Sequence, residues 1–153
     1  MNGVDDEPLT AEQAALVDRS EVTNGMLTEE QEIYKENIID HYKNPRNKVA
    51  LPACTICQNN VNPLCGDQIT MYFDIQGGMI QQLSFTGQGC AISQAAASML
   101  TEEFHGKTLA EVQSFTLENM LKLLGIPISP ARKKCAFLAL TTIHQGVQSW
   151  RLK

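Results

Sequence analysis

The 153-residue chain has no long apolar run, and nothing in it approaches the roughly 18 residues that a membrane span requires, so no transmembrane helix is expected. The N-terminus also lacks the basic and then apolar stretch of a secretory signal, and its acidity argues against a mitochondrial transit peptide. A cytoplasmic location is the expectation. Basic excess is missing as well. The first 27 residues carry six acids (Asp5, Asp6, Glu7, Glu12, Asp18, Glu21) against the single base Arg19, and they account for the whole formal charge of −5. The remainder balances, eleven acids against eleven bases. Phosphate binding needs concentrated Lys and Arg, so the charge gives no reason to expect a nucleic-acid partner. Internal repeats and low-complexity segments are absent too. A chain of this length can bury one core without disulfide staples.

Residues 1–27 mix acids with small polar residues and read as a poorly ordered extension, in which Thr10 and Gln13 could cap a turn or two of helix. A folded unit is expected over 28–153. Thr28 and Gln31 form a capping box ahead of a helix face made by Tyr34, Ile38 and Tyr42, and Pro45 should stop that helix. From Val49 to Val61 the pattern is extended but irregular. Ile69, Met71, Phe73 and Ile75 then alternate with polar residues, Gly77 and Gly78 supply a turn, and Met79, Leu83 and Phe85 are expected on the core face of the return strand. Beyond Cys90 the chain turns helical, with Ile92, Ala95, Ala96, Met99 and Leu100 forming one apolar stripe. Thr108 with Glu111, and then Thr116, open two short helices, and Gly125 with Pro127 closes the second. Ser129 and Pro130 suit the N-cap and first position of a last helix packed through Leu138, Ala139 and Ile143. The order predicts an α+β fold: a small antiparallel sheet of about three strands flanked by helices.

Chemistry centres on the five cysteines, Cys54, Cys57, Cys65, Cys90 and Cys135. In a reducing compartment, spaced cysteines serve metal or redox chemistry more often than disulfides, although a single isolated thiol is usually just a small buried hydrophobe. Cys65 and Cys90 flank the predicted hairpin and should meet at its open end, where a packed last helix could bring Cys135 alongside. With Asp67 they would make a four-coordinate site for Zn²⁺ or for iron in a cluster. The carboxylate is the hard member of a soft set, so its bond should exchange most readily. The helix start at Cys90, and Arg132, Lys133 and Lys134 around Cys135, are expected to lower thiol pKa values and favour thiolates. Gly66, Gly87 and Gly89 would allow close backbone approach. The Cys54–Cys57 pair is a CxxC that could be read as a thioredoxin-like redox pair or a zinc knuckle, but Val61 and Pro63 follow it in place of the strand-to-helix context that the redox reading needs. If the segment is a strand, period-two alternation would place the thiols on opposite faces, unable to share a metal, with an accessory role in holding sulfur left open. His41, His105 and His144 fall in or near helices, away from the cysteine motifs, and read as satisfied structural histidines.

The segments "YKENIIDHYKNPRNKVAL", "NPLCGD", "GQGCAISQAAASM" and "ARKKCAFLAL" together resemble the signature segments of the U-type iron-sulfur cluster assembly family: IscU, SufU and the N-terminal domain of NifU. That resemblance implies metal binding by Cys65, Asp67, Cys90 and Cys135, and sulfur received from a cysteine desulfurase. It further implies either a transient [2Fe-2S] cluster passed to a carrier or apo-protein acceptor, or a Zn²⁺-dependent sulfur relay; a structural zinc adaptor is the third reading. Cys65 and Cys135 are the candidate sulfur acceptors, with Lys134 and Arg132 as electrostatic support. Where IscU-like members have His before the third cysteine this chain has Lys134, as SufU-like members do, and a protonated Lys cannot ligate metal. "IPISPARKKC" lacks the "LPPVK" element offered to an Hsp70-type chaperone, so the sequence gives no support to that partnership. The 45-residue step from Cys90 to Cys135 is too short for the insertion usual in SufU-like proteins.

Overall fold

The computed structural model describes residues 27–63 and 66–151. The Thr10–Gln13 capping box lies outside the described residues. Helix α1 spans Glu29–Lys43 and starts as its sequence dictates: Thr28 Oγ1 accepts the Gln31 amide at 3.1 Å, and Gln31 Oε1 accepts the Thr28 amide at 3.0 Å. Acids in its first turn and His41 and Lys43 in its last suit the helix dipole, and the helix ends two residues before Pro45.

The sheet holds three antiparallel strands in the order β1 (Ile56–Asn62), β2 (Asp67–Gln76) and β3 (Met79–Gln88). Gly77 and Gly78 turn the hairpin, both at positive φ (63° and 75°), as a two-residue turn with the twist of its strands demands. One expectation fails at this turn. Met79 is 37% exposed, and Ile80 is fully buried in its place. Pairing jumps from Asp74↔Gln82 to Ile75↔Ile80, leaving Gln81 as an extra residue on β3. Such a bulge inverts the in–out alternation across it, so Ile80 shares the core face with Leu83 and Phe85 although it is an odd number of residues from them.

Helix α2 (Ala91–Glu103) departs further from its predicted single stripe. Every residue from Ala91 to Thr101 is buried, because α1, α5 (Pro130–Arg151) and β3 pack around it. Its side chains are small enough to permit this, and its hydroxyls are satisfied locally. Thr101 Oγ1 donates to the Ser98 carbonyl at 2.7 Å, while Ser98 Oγ accepts the Arg46 amide at 2.8 Å and lies 2.7 Å from His41 Nδ1. The short α3 (Leu109–Ser114) and α4 (Leu117–Leu124) each open on a capping box, at Thr108/Glu111 and Thr116/Asn119, and α4 stops at Gly125 in the left-handed conformation (φ 75°). Helix α5 begins at Pro130 as expected and lies across both α2 and the sheet, with Leu138, Ala139 and Ile143 buried. At Gly146 the approach is so close that a Cβ would stand 2.9 Å from the Phe73 ring. The sheet, α2 and α5 thus form one core whose edge holds the start of β2, the end of β3 and the first turns of both helices.

Candidate metal centre

Asp67 opens β2, 1% exposed, opposite Asn62 in the last register position of β1. Cys90 follows β3 as the N-cap of α2, but its side chain does not cap the helix. Its thiol is therefore left for other partners. The Cys90 amide donates to Asp67 Oδ1 at 3.0 Å, and the Cys90 thiol lies 3.6 Å from Oδ2. The carboxylate so sits at the positive end of α2 and accepts a backbone amide there. Gly89, at φ 154°, makes room for it: a Cβ there would stand 2.4 Å from Asp67 Oδ1. Cys135, one and a half turns into α5, is 1% exposed and completes the group. One ligand atom from each of Asp67, Cys90 and Cys135 lies within 4.8 Å of the other two. This is the single such cluster of three His, Cys, Asp or Glu side chains among the described residues.

These donors fit a transition-metal ion. Tetrahedral zinc with bonds of about 2.0–2.3 Å would hold its donors roughly 3.3–3.8 Å apart, so a contraction of about an ångström would close three donors on one ion. Cys65, the fourth predicted ligand, lies outside the described residues, two positions before Asp67 in sequence. Protonation at the site runs against expectation. The Cys90 thiol is pushed up, first by burial and further by the Asp67 carboxylate, while the Ser93 amide, the Cys135 thiol and the Ser93 hydroxyl act in the opposite direction. Burial outweighs the helix N-terminus, which was expected to lower it. Ser93, whose hydroxyl donates to the Cys90 carbonyl at 3.1 Å, was not anticipated; its place one turn into α2 beside Cys90 was the available signal.

Other predicted residues are distributed as follows. Lys134 is exposed and lines a groove of about 390 Å³ with Val61, Asn62, Pro63, Leu117 and Phe137, beside the centre; Arg132 is partly buried and engaged. The larger cavity, about 500 Å³, lies at the opposite end of α2 and is lined by His105 and Glu102 with no thiol. His41 is buried against Ser98, and His144 Nε2 lies 2.9 Å from the Val112 carbonyl, so both are occupied within the core as expected. Cys54 lies two residues before β1, with the bend at Thr55, so the alternation that holds within a strand does not reach it, and its thiol interacts with that of Cys57.

A three-stranded antiparallel sheet flanked by helices, with Asp67 and Cys90 at the sheet edge and Cys135 brought to them by the last helix, defines an α+β protein with a thiol–carboxylate cluster that could hold a metal ion. Comparison with known proteins makes this specific: residues 33–153 match the family described as NifU-like N terminal domain, and the chain belongs to that family. The zinc-dependent sulfurtransferase SufU of Bacillus subtilis is 35% identical over 132 residues, spanning 75% of this chain and 89% of the relative. The iron-sulfur cluster assembly scaffold protein IscU of Thermotoga maritima is 30% identical over 132 residues, spanning 76% and 93%. Among solved structures, a candidate iron-sulfur cluster assembly scaffold protein for the SUF system of Fervidobacterium islandicum superposes with a TM-score of 0.67 at 28% identity, covering 76% of this chain and 98% of that one. Among the described residues, no helix is long and apolar enough to cross a membrane.

Proposed function

We propose that this protein accepts sulfur from a cysteine desulfurase and builds a transient [2Fe-2S] cluster on Cys65, Asp67, Cys90 and Cys135 for transfer to acceptor proteins. The observation that carries this reading is the carboxylate. A structural zinc site favours four soft or borderline donors, whereas here one position belongs to a hard ligand that already has a backbone donor of its own. When iron departs, Asp67 keeps the Cys90 amide, so losing the metal leaves no bare buried charge. That arrangement suits cargo which must be released.

The chemistry asked of the chain is modest. A thiolate, from Cys65 or Cys135, attacks the terminal sulfur of the donor's persulfide; the new S–S bond forms as the donor's own cysteine leaves as thiolate. Lys134 on the neighbouring groove provides a cation for an approaching anionic persulfide, and the apolar Val61 and Leu117 give a partner segment something to cover. Iron and sulfide are the cargo, and the four side chains hold them.

A second reading, a zinc-dependent relay that passes sulfur onward without assembling a cluster, is favoured by Lys134 in place of a ligating His and by the 35% identity to SufU. Anaerobic reconstitution with iron, cysteine and a desulfurase separates the two. A [2Fe-2S] spectrum that transfers to an apo-ferredoxin supports the scaffold. Zinc retained through the reaction, with desulfurase turnover stimulated and no cluster, rejects it in favour of the relay.

A further inference from the structure

Cys54 and Cys57 are unused by the centre. Cys57 pairs with Tyr72 in the β1–β2 register and Asn62 pairs with Asp67, which puts five residues, about 17 Å of strand, between the pair and the metal site. Cys57 is exposed, Cys54 partly so, and the two thiols are neighbours. The first of the two residues between them is pinned. Thr55 donates its amide to the Phe73 carbonyl at 2.6 Å, and its Oγ1 accepts the Ile75 amide at 3.0 Å. Two hydrogen bonds to β2 thereby hold the bend at Thr55, next to Cys54. Among the described residues, no third His, Cys, Asp or Glu joins them, so a closed metal site is not what this geometry builds.

We infer that Cys54 and Cys57 form a second, surface-borne reactive site: a dithiol–disulfide couple that attacks small compounds containing an S–S bond, either a disulfide or a persulfide. The Cys57 thiolate, on the more exposed sulfur, attacks the S–S bond; a mixed disulfide or a Cys57 persulfide forms and the small thiolate leaves. Cys54 then attacks Cys57 Sγ, closing the internal disulfide and expelling a second thiolate, or hydrosulfide in the persulfide case. Two electrons pass from the dithiol to the S–S bond, the two thiol protons go to solvent or to the leaving groups, and an external thiol resets the pair. Such exchange-labile bridges are the form in which disulfides occur in reducing compartments. Burial and the neighbouring Cys54 push the Cys57 thiol up, so the exchange should accelerate with pH.

The test uses the full chain, held without oxygen in stepped ratios of reduced and oxidised glutathione and, in a second arm, with glutathione persulfide. Free thiols are trapped, and each cysteine is read separately by peptide mass spectrometry. Cys54 and Cys57 should oxidise together, with loss of two hydrogens and no glutathione adduct. In the persulfide arm one sulfide should appear per internal disulfide, which would identify sulfane sulfur as a substrate; a disulfide closing with oxidised glutathione alone would identify the disulfide as the partner. In Cys54→Ser, a glutathione adduct should accumulate on Cys57 at least tenfold above the unsubstituted chain, with metal content unchanged. Independent glutathione adducts on both thiols of the unsubstituted chain, or a disulfide from either to Cys65, Cys90 or Cys135, would overturn the inference.

Discussion

Replacing Gly89 by alanine tests whether the Asp67 carboxylate is placed by the backbone around it. The new methyl group would sit 2.4 Å from Oδ1 and 2.7 Å from the carboxylate carbon, far inside contact distance. Its neighbours on the other side are also close, with the Ser93 hydroxyl at 2.9 Å, so the carboxylate must swing away from the Cys90 amide. Two costs follow. An L-residue held at φ 154° is strained by about 1–3 kcal/mol. Losing the hydrogen bond from the Cys90 amide to a charged acceptor costs about 1.5–3 kcal/mol. Together these take roughly 3–6 kcal/mol from a stability that is typically about 5–15 kcal/mol. Urea unfolding should show this as a lower midpoint. Zinc titration of the folded fraction should show affinity reduced at least tenfold, because one donor has been turned out of the cluster. Gly146→Ala is the control: its methyl would crowd the Phe73 ring at 2.9 Å, six residues further along β2 than Asp67. Overpacking costs about 1–3 kcal/mol there, offset by about 1 kcal/mol of helix propensity. It should lower the midpoint modestly and leave zinc affinity alone. Wild-type zinc affinity in Gly89→Ala, or equal loss of affinity in both variants, would refute the reasoning.

Three further outcomes are expected. Burial, and secondarily the charge of Arg46, push the His41 pKa below its ordinary 6.5, and Glu102 and Asp40 only partly oppose this, so the folded chain holds the ring neutral. The unfolded chain therefore binds the extra proton first, and stability should be intact above about pH 6.5 and decline as pH falls below it. In urea titrations across this range, His41→Gln should flatten that slope, and an unchanged slope would exclude His41 as its source. Adding Zn²⁺ at about a hundredfold over its dissociation constant should stabilise the fold by about 2.7 kcal/mol, with a matching rise in melting temperature that a chelator reverses and that Cys90→Ser abolishes. Phe73, fully buried beneath α5, should cost about 3–5 kcal/mol on truncation to alanine, measurable as a shift in urea midpoint without a spectral change in residual zinc binding.

Local signals made much of the fold legible. Capping boxes at Thr28, Thr108 and Thr116 each start a helix where side-chain and backbone donors satisfy one another within four residues, and such chemistry needs no tertiary context. The Gly77–Gly78 turn is equally local. Misreadings cluster where long-range packing decides. Nothing in "MIQQLSF" announces that Gln81 is surplus, because a bulge belongs to the pair of strands rather than to either one. Helix α2 was legible as a helix but not as a fully enclosed one, since its burial depends on three partners distant in sequence. Likewise the alternation argument for the CxxC holds only if the strand includes Cys54, and β1 begins two residues later.

For the centre itself, the motif supplied the residue types and the hairpin supplied the reason for Asp67 and Cys90 to meet. What neither could supply was the order of control between them. The expectation that the helix N-terminus would favour a Cys90 thiolate treated the thiol as the group served by the helix. In the folded chain the carboxylate takes that service: it receives the N-cap amide of α2, and its charge then raises the cost of ionising the thiol beside it. A metal ion bound there would invert this balance, because its charge would remove the repulsion and replace the thiol proton. Ion and protons would then compete for one site, and the backbone-held carboxylate would stay in place whichever of them is bound.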